Sequence, residues 1–570
     1  MSDKFAFGNG LFKGEIDQKI RSTFAKLGIP QGLASSIQSR RPELSDFQCN
    51  GLLAHASSDE ISAHALAESA IRELGKNNNF DVAVDGPGFL NFCLHDNVLA
   101  GAVSDRLGKS DWHVSTTAIR RTIFLDYGGP NVAKELHVGH LRSALIGQTL
   151  ANVFRLLGYR VVTDVHLGDW GLQMGLTIAQ IETDGLIEFS AKDLGNIYSS
   201  ASKRSKIDPE FLDRARAITT KLQSGDKQIT ALWERIVTLS VSSVRKTYDR
   251  LGVSFDQWNG ESRYQPLVPE VIEIAQAKGI TELSDGALIV RAEKDDAPPL
   301  ILRNSAGAVG YAATDLAALS ARVAEHLPDE VLYIVDKRQK LHFEQVFSVS
   351  ERTGLLGNSH VEHVPFGTVD GPGGRPFKTR DGHVMRLDDL LDMMTQKARE
   401  RVQNRAQIDD IDSVSALVAQ AAVKYGELSH DRASNYVFEP DRFLAFEGNT
   451  GPYLLYTSVR TGSLLARAAE SGIAPGPIST LGNGGRQIVL RLDAYGDVLG
   501  RVLEKRRPSL LAAHLYSLAN EMNGFYHQNH VLARGVNTDE AESYLTILQV
   551  ADTQLRAGLQ ILGIQVPEQM

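Results

Sequence analysis

The feature that most constrains how this chain folds is one strand–helix–strand run. Residues Thr122 to Tyr127 form a stretch of β-favouring residues, and Gly128-Gly129-Pro130-Asn131 breaks it. Leu141, Leu145, Leu150, Val153 and Leu157 then recur near helical spacing, which predicts a helix from about 138 to 157, ended by Gly158. Val161 to His166 reads as the next strand. A strand, a long helix and a second strand of these lengths make a βαβ unit, so the two strands are parallel and the crossover right-handed. The later run Val331 to Val335 also ends in polar residues, as in a doubly wound sheet with a site at the strand C-termini.

His137-Val138-Gly139-His140 falls where the loop becomes the helix. Such a position offers unpaired backbone N–H groups and the positive end of the helix dipole, both suited to phosphate. The two imidazoles add donors, and Gly139 lacks a Cβ, so a flat ring such as adenine can approach the backbone. The chemistry implied is attack on an α-phosphate with pyrophosphate leaving. That step needs positive charge on the transferring group rather than a covalent nucleophile. A class I synthetase and an ATP nucleotidylyltransferase both satisfy this motif, and the motif does not separate them.

At 570 residues the chain is long enough for several domains. Residues 1–112 mix helix and strand: Ser57 to Leu74 reads as one Ala-rich helix, and Val82–Val84 and Phe89–Leu94 as strands around a Gly-Pro-Gly turn. Residues 113–412 carry the parallel sheet, with a charged helical insertion at about 190–250. From Ser413 to Met570 the pattern is almost wholly helical, interrupted at Gly472–Pro477 and Gly482–Gly485. The fold class expected is therefore α/β: a doubly wound, Rossmann-type catalytic domain with an N-terminal α+β domain and a C-terminal all-α helical bundle.

The only cysteines are Cys49 and Cys93, far apart and without a histidine cluster, so neither a disulfide framework nor a protein metal site is expected, and a cytoplasmic setting fits. No stretch approaches the roughly 18 apolar residues of a membrane span. The net charge of −9 argues against coating DNA or RNA non-specifically, but not against binding one shaped RNA.

The string from Asp126-Tyr127-Gly128-Gly129-Pro130-Asn131 through Lys134 and His137-Val138-Gly139-His140 to Leu141-Arg142-Ser143 strongly resembles the HIGH signature as arginyl-tRNA synthetases carry it. His166-Leu167-Gly168-Asp169-Trp170-Gly171 after the second strand, Gly310-Tyr311 with Asp315, Tyr333 to Asp336 with Gln339, His342 and Gln345, and Phe446 to Tyr453 are similar to that family in the same order. The resemblance covers essentially the whole chain. It implies that arginine and ATP, with Mg2+ accompanying the ATP, give arginyl-adenylate and pyrophosphate, and that the arginyl group then passes to tRNA-Arg. It also implies that the first step needs bound tRNA. A monomer is the family's usual form.

By the same resemblance, Pro130, His137, Gly139 and His140 would meet ATP. Glu261, Asp315 and Tyr311 would meet the arginine side chain, and Asn131 and Gln339 its amino-acid end. Carboxylates suit a guanidinium fork, and lysine cannot fill it. The usual Lys-Met-Ser-Lys-Ser loop is absent, and Gly374 to Gly382 stands in its place. Lys378, Arg380 and Lys134 compete for the missing cation. Gly129 departs from members with a small hydroxyl residue there. The bundle is not basic, with 12 Lys plus Arg against 14 Asp plus Glu from His430 onward. The RNA candidates are accordingly single residues: Tyr453, Tyr456, Arg460, Asn523, Tyr526 and Met570 in the bundle, and Phe89 and Asn91 in the N-terminal domain.

Overall fold

The computed structural model describes residues 10–59, 62–109, 121–292, 297–305, 307–371, 374–376, 385–403, 408–532 and 537–570. The chain divides into two compact units, one of residues 116–401 with 422–444, the other of residues 1–115 with 402–421 and 445–570.

The first unit contains the expected βαβ run: β1 (Thr122–Tyr127), α1 (Gly139–Leu156) and β2 (Arg160–Asp164). It continues later with α2 (Tyr311–His326), β3 (Glu330–Ile334), α3 (Lys340–Thr353) and β4 (His360–His363). The strands lie in the order β4-β3-β1-β2, all parallel. β1 and β3 are buried along their whole length, as a parallel sheet covered on both faces requires. Phe124, Val162, Leu319, Val331, Tyr333 and Phe343 share one core cluster over this sheet. The chain leaves β1 toward β2 on one side and returns as β3 on the other, so a crevice opens at the strand C-termini.

The second strand ends earlier than its composition suggests. It was expected to run to His166 but leaves the sheet after Asp164. Beyond that point the backbone pairs elsewhere: Val165 N donates to Gln257 O at 3.2 Å and Leu167 N to Asn259 O at 2.9 Å. This detour carries Glu261 to the strand ends. The insertion forms three helices, Ala191–Arg204, Pro209–Gln223 and Lys227–Arg250, the last two capped by the side chains of Asp208 and Asp226.

In the second unit, Ser36–Gln38, Phe47–Cys49, Phe89–Leu94 and Phe80–Asp85 make an antiparallel sheet in that spatial order. The single helix expected from Ser57 to Leu74 is two, Gly51–Asp59 and Ala63–Leu74. Ser62 starts the second by accepting a bond from Ala65 N, a local capping signal that overrides the alanine-rich pattern. The bundle helices are Gly451–Glu470, Gly485–Asp493, Tyr495–Lys505, Ser509–Asn529 and Thr538–Ile561. The almost wholly helical run expected from Ser413 is interrupted at residues 429–450. There Tyr436–Val437 pairs in parallel with Val369–Asp370 inside the first unit. Among the described residues, no helix is long and apolar enough to cross a membrane.

Candidate active site

A cavity of about 700 Å³ opens at the C-terminal ends of β1 and β3. Of the residues expected at a site, it brings together Asn131, His137, Gly139, His140, Glu261, Tyr311, Asp315 and Gln339. Pro130 and Lys134 do not reach its wall. Pro130 is buried, with its carbonyl accepting a bond from Gly168 N at 3.1 Å. Lys134 Nζ lies 4.6 Å from the Tyr198 ring, and its side chain lines a separate small hollow. Lys378 and Arg380 lie outside the described residues. The described segments on either side do border the site. Thr368, Val369 and Asp370 line the cavity, and beyond the loop Val138 N donates to Met385 O at 3.2 Å and Leu387 N to Leu136 O at 2.9 Å.

The two histidines at the start of α1 are locked by the backbone. Gly139 N donates to His137 Nδ1 at 3.0 Å, so the His137 ring proton sits on Nε2. His137 N donates to His140 Nδ1 at 3.1 Å, and the two rings lie 4.0 Å apart. Loss of water around the packed rings pushes both imidazoles toward the neutral form, although an edge of His137 stays exposed. His137 is lowered further by Lys134 and Arg338, and His140 is held down to about 3, with His137 as the second cause. The pair is therefore a set of neutral hydrogen-bond donors. The pair brings no positive charge of its own, and Arg338 lines the same cavity with its guanidinium parked on Asp336 at 2.9 and 2.7 Å.

The same cavity also carries two acids, Glu261 and Asp315. Glu261 opens the short helix Glu261–Tyr264, with its N–H donating to Leu167 O at 3.0 Å. Asp169 braces that turn by accepting from Ser262 N at 2.9 Å and Ser262 Oγ at 2.6 Å. Gly260 is required by this packing, because a Cβ there would overlap the Asp169 carboxylate. Burial, then the charges of Asp315 and Asp169, push the Glu261 carboxyl up to about 8. Asp315 Oδ2 meets His342 Nε2 at 2.6 Å. Tyr311 stands at the rim, 70% exposed, its ring 5.0 Å from that of His342. Two adjacent acids, Asp315 raising the proton affinity of Glu261, define a place for a cation. The departure at Gly129 also has a physical reason here, since a Cβ would overlap the carbonyl of His166.

Beneath the acids lies a residue that sequence reading missed. Arg322 on α2 is 2% exposed, and its Nη2 reaches Asp126 at 2.8 Å and Asp164 at 2.9 Å, at the ends of β1 and β2. Its Nη1 donates to Tyr333 OH on β3 at 3.2 Å. One guanidinium thus ties three neighbouring strand ends. The polar residue closing each strand was visible in the sequence, but nothing local pointed to the arginine that joins them.

In the second unit, the RNA candidates of the bundle gather on two facing helices. Asn523 Nδ2 donates to Tyr453 OH at 3.1 Å and to Thr457 Oγ1 at 2.8 Å, and Tyr453 OH donates to Asn520 at 2.7 Å. The Arg460 guanidinium lies 3.9 Å from the Tyr526 ring, and Tyr456 is exposed. Asn520 and Tyr516, whose ring lies 5.9 Å from that of Tyr453, belong to the same cluster and were not expected. Met570 is half-buried at the chain end, as is Phe89 at its strand end. Asn91 is 6% exposed, and its side-chain oxygen accepts a bond from Gln48 at 2.9 Å.

A doubly wound parallel sheet with the H-x-G-H pair at its first helix and a cavity at the switch point fits the catalytic domain of a class I tRNA synthetase. The model of that domain, described as "tRNA synthetases class I (R), catalytic domain", matches residues 103–440. An arginyl-tRNA synthetase N-terminal domain matches residues 14–94, and a DALR anticodon binding domain matches residues 454–570. Arginine–tRNA ligases of Alkaliphilus oremlandii and Maricaulis maris are 36% and 38% identical to the chain, each match covering 98% of it and 99% of the relative. Solved arginyl-tRNA synthetases from Plasmodium falciparum and Thermus thermophilus share the fold, with TM-scores of 0.82 and 0.80. They are 23% and 21% identical, and the matches cover 99% and 98% of this chain and 100% of each of theirs. The chain belongs to the arginyl-tRNA synthetase family. A nucleotidylyltransferase sharing only the H-x-G-H site is not favoured, because the match runs through the N-terminal and anticodon-binding domains as well.

Proposed function

We propose that this protein ligates L-arginine to tRNA-Arg through an arginyl-adenylate made from ATP. The observation that carries this reading is the polarity of a single cavity. The same cavity is lined by the neutral imidazole donors of His137 and His140, which suit a phosphate, and by the carboxyl groups of Glu261 and Asp315. A guanidinium keeps its proton at every working pH and matches a pair of carboxylates. Asn131 and Gln339 would hold the α-amino and carboxylate groups, which sets the carboxylate facing the ATP α-phosphate. Attack by that carboxylate oxygen expels pyrophosphate. Mg2+ would enter with the triphosphate. Among the described residues, no group of three acidic, histidine or cysteine side chains could hold a metal by itself.

ATP–pyrophosphate exchange tests the reading. Exchange is expected with arginine among the amino acids, and only when tRNA is present. Exchange that needs no amino acid would overturn it. Arg338, on the wall of this cavity, is our candidate cation for the phosphates, and Lys378 and Arg380 follow in sequence a segment, Thr368 to Asp370, that lines the same cavity. Arg338→Ala is expected to raise the KM for ATP at least about tenfold, the worth of one charge-assisted bond, with the KM for arginine within twofold. Gly260→Ala is expected to do the reverse, raising the KM for arginine by displacing Glu261 while leaving that for ATP alone. Steady-state exchange kinetics check both.

A further inference from the structure

His166 is assigned no part in the reaction outlined above, yet it stands between the buried Arg322 clamp and Asp315. Its Nδ1 lies 3.3 Å from Arg322 Nη2. A guanidinium nitrogen is a donor and never an acceptor, so the lone pair of Nδ1 faces it. The ring proton is therefore on Nε2. That N–H is buried, has no hydrogen-bond partner in the described structure, and lies 3.8 Å from Asp315 Oδ1. The ring is held flat by the Tyr264 ring, 5.8 Å away at an interplanar angle of 29°. On the other side of the same carboxylate, His342 Nε2 is already bonded to Oδ2 at 2.6 Å. An unpartnered buried N–H aimed at a carboxylate that is itself half-secured is an unfinished bracket.

We infer that His166 is a positioning residue for arginine recognition: with His342 it brackets Asp315, and Arg322 sets the tautomer that makes this possible. The inference rests on the reading of Asp315 as an acceptor for the substrate guanidinium. A shift of under about 1 Å brings the His166 Nε2–H to ordinary bonding distance of Oδ1. One lone pair of each carboxylate oxygen is then taken by an imidazole, and the other pair on each is left toward the cavity. That arrangement aims the carboxylate as a two-pronged acceptor, which a guanidinium can fill bidentately and an ammonium cannot.

Two substitutions separate the functions of the two ring nitrogens. His166→Gln can place an N–H near the Nε2 position, whereas His166→Asn retains only a group near Nδ1. His166→Asn is expected to raise the KM for arginine at least about tenfold in pyrophosphate exchange, with the KM for ATP and the melting temperature within error of the parent. His166→Gln is expected to recover most of that loss. Asp315→Asn is measured alongside. A raised arginine KM in Asp315→Asn with a parental KM in His166→Asn overturns the inference and leaves the reading of the pocket standing. A parental arginine KM in Asp315→Asn overturns the pocket reading itself. Equal losses for both substrates in His166→Asn, without rescue by Gln, would mark a merely structural ring and also overturn the inference.

Discussion

Glu261→Ala is expected to raise the KM for arginine by about two to three orders of magnitude, while the fold and ATP binding persist. The size follows from removing one member of a hydrogen-bonded charge pair in a largely desolvated site, a loss of about 2–5 kcal/mol. Parental kinetics in this variant would sink the pocket assignment. Proton linkage makes the expectation sharper. The free enzyme holds the Glu261 proton up to about pH 8, chiefly because the carboxyl is buried and then because Asp315 and Asp169 are near. A bound guanidinium favours the carboxylate, so binding releases a proton. Below about pH 8 the arginine KM should therefore fall about tenfold for each unit of rising pH, and it should flatten above that value. Glu261→Gln, which cannot titrate, should remove this slope while keeping an acceptor oxygen. Initial-rate exchange between pH 6 and 9 measures it.

Arg142→Ala is expected to destabilise the catalytic unit by about 3–5 kcal/mol, seen as a fall in melting temperature of roughly 10 °C. Arg142 follows the H-x-G-H motif by two residues, is 1% exposed, and pairs with the equally buried Glu427 at 2.7 Å. Its Nη1 donates to Ser434 O at 2.7 Å and its Nη2 to Asp431 O at 3.4 Å. Truncation leaves a buried carboxylate and two carbonyls without this partner, which is why the loss exceeds the worth of the pair itself. Arg142→Met combined with Glu427→Leu should restore much of the stability, because matched apolar groups need no counter-charge. An unchanged melt in Arg142→Ala, read by differential scanning fluorimetry, would contradict the account.

The same arginine illustrates where sequence reading stops. Position 142 sits on a helix whose apolar spacing was plain, yet nothing nearby announced a carboxylate 285 residues later. The end of β2 shows another limit. Val165 and His166 have strand-like neighbours, and only the competing segment at Gln257–Gly260 draws them out of the sheet. Pro130 and Lys134 sit beside the motif in the chain but do not line the cavity, although the charge of Lys134 still bears on His137 and His140. Lys134 turns onto Tyr198, and Arg338, which the motifs passed over, lines the cavity instead.

What the sequence by itself determined was the order of β1, α1 and β2, the placing of His137 to His140 at the helix start, and the family. Each of these is written in local periodicity or in short strings, and local backbone preference is strong enough to keep them. Only the tertiary structure decided that the two histidines are neutral, that Glu261 holds a proton near neutral pH, and that Arg322 and His166 stand behind Asp315. Those properties come from burial and from charges brought together across the sheet, and the energy of a charge depends on what surrounds it in space rather than on what precedes it in the chain.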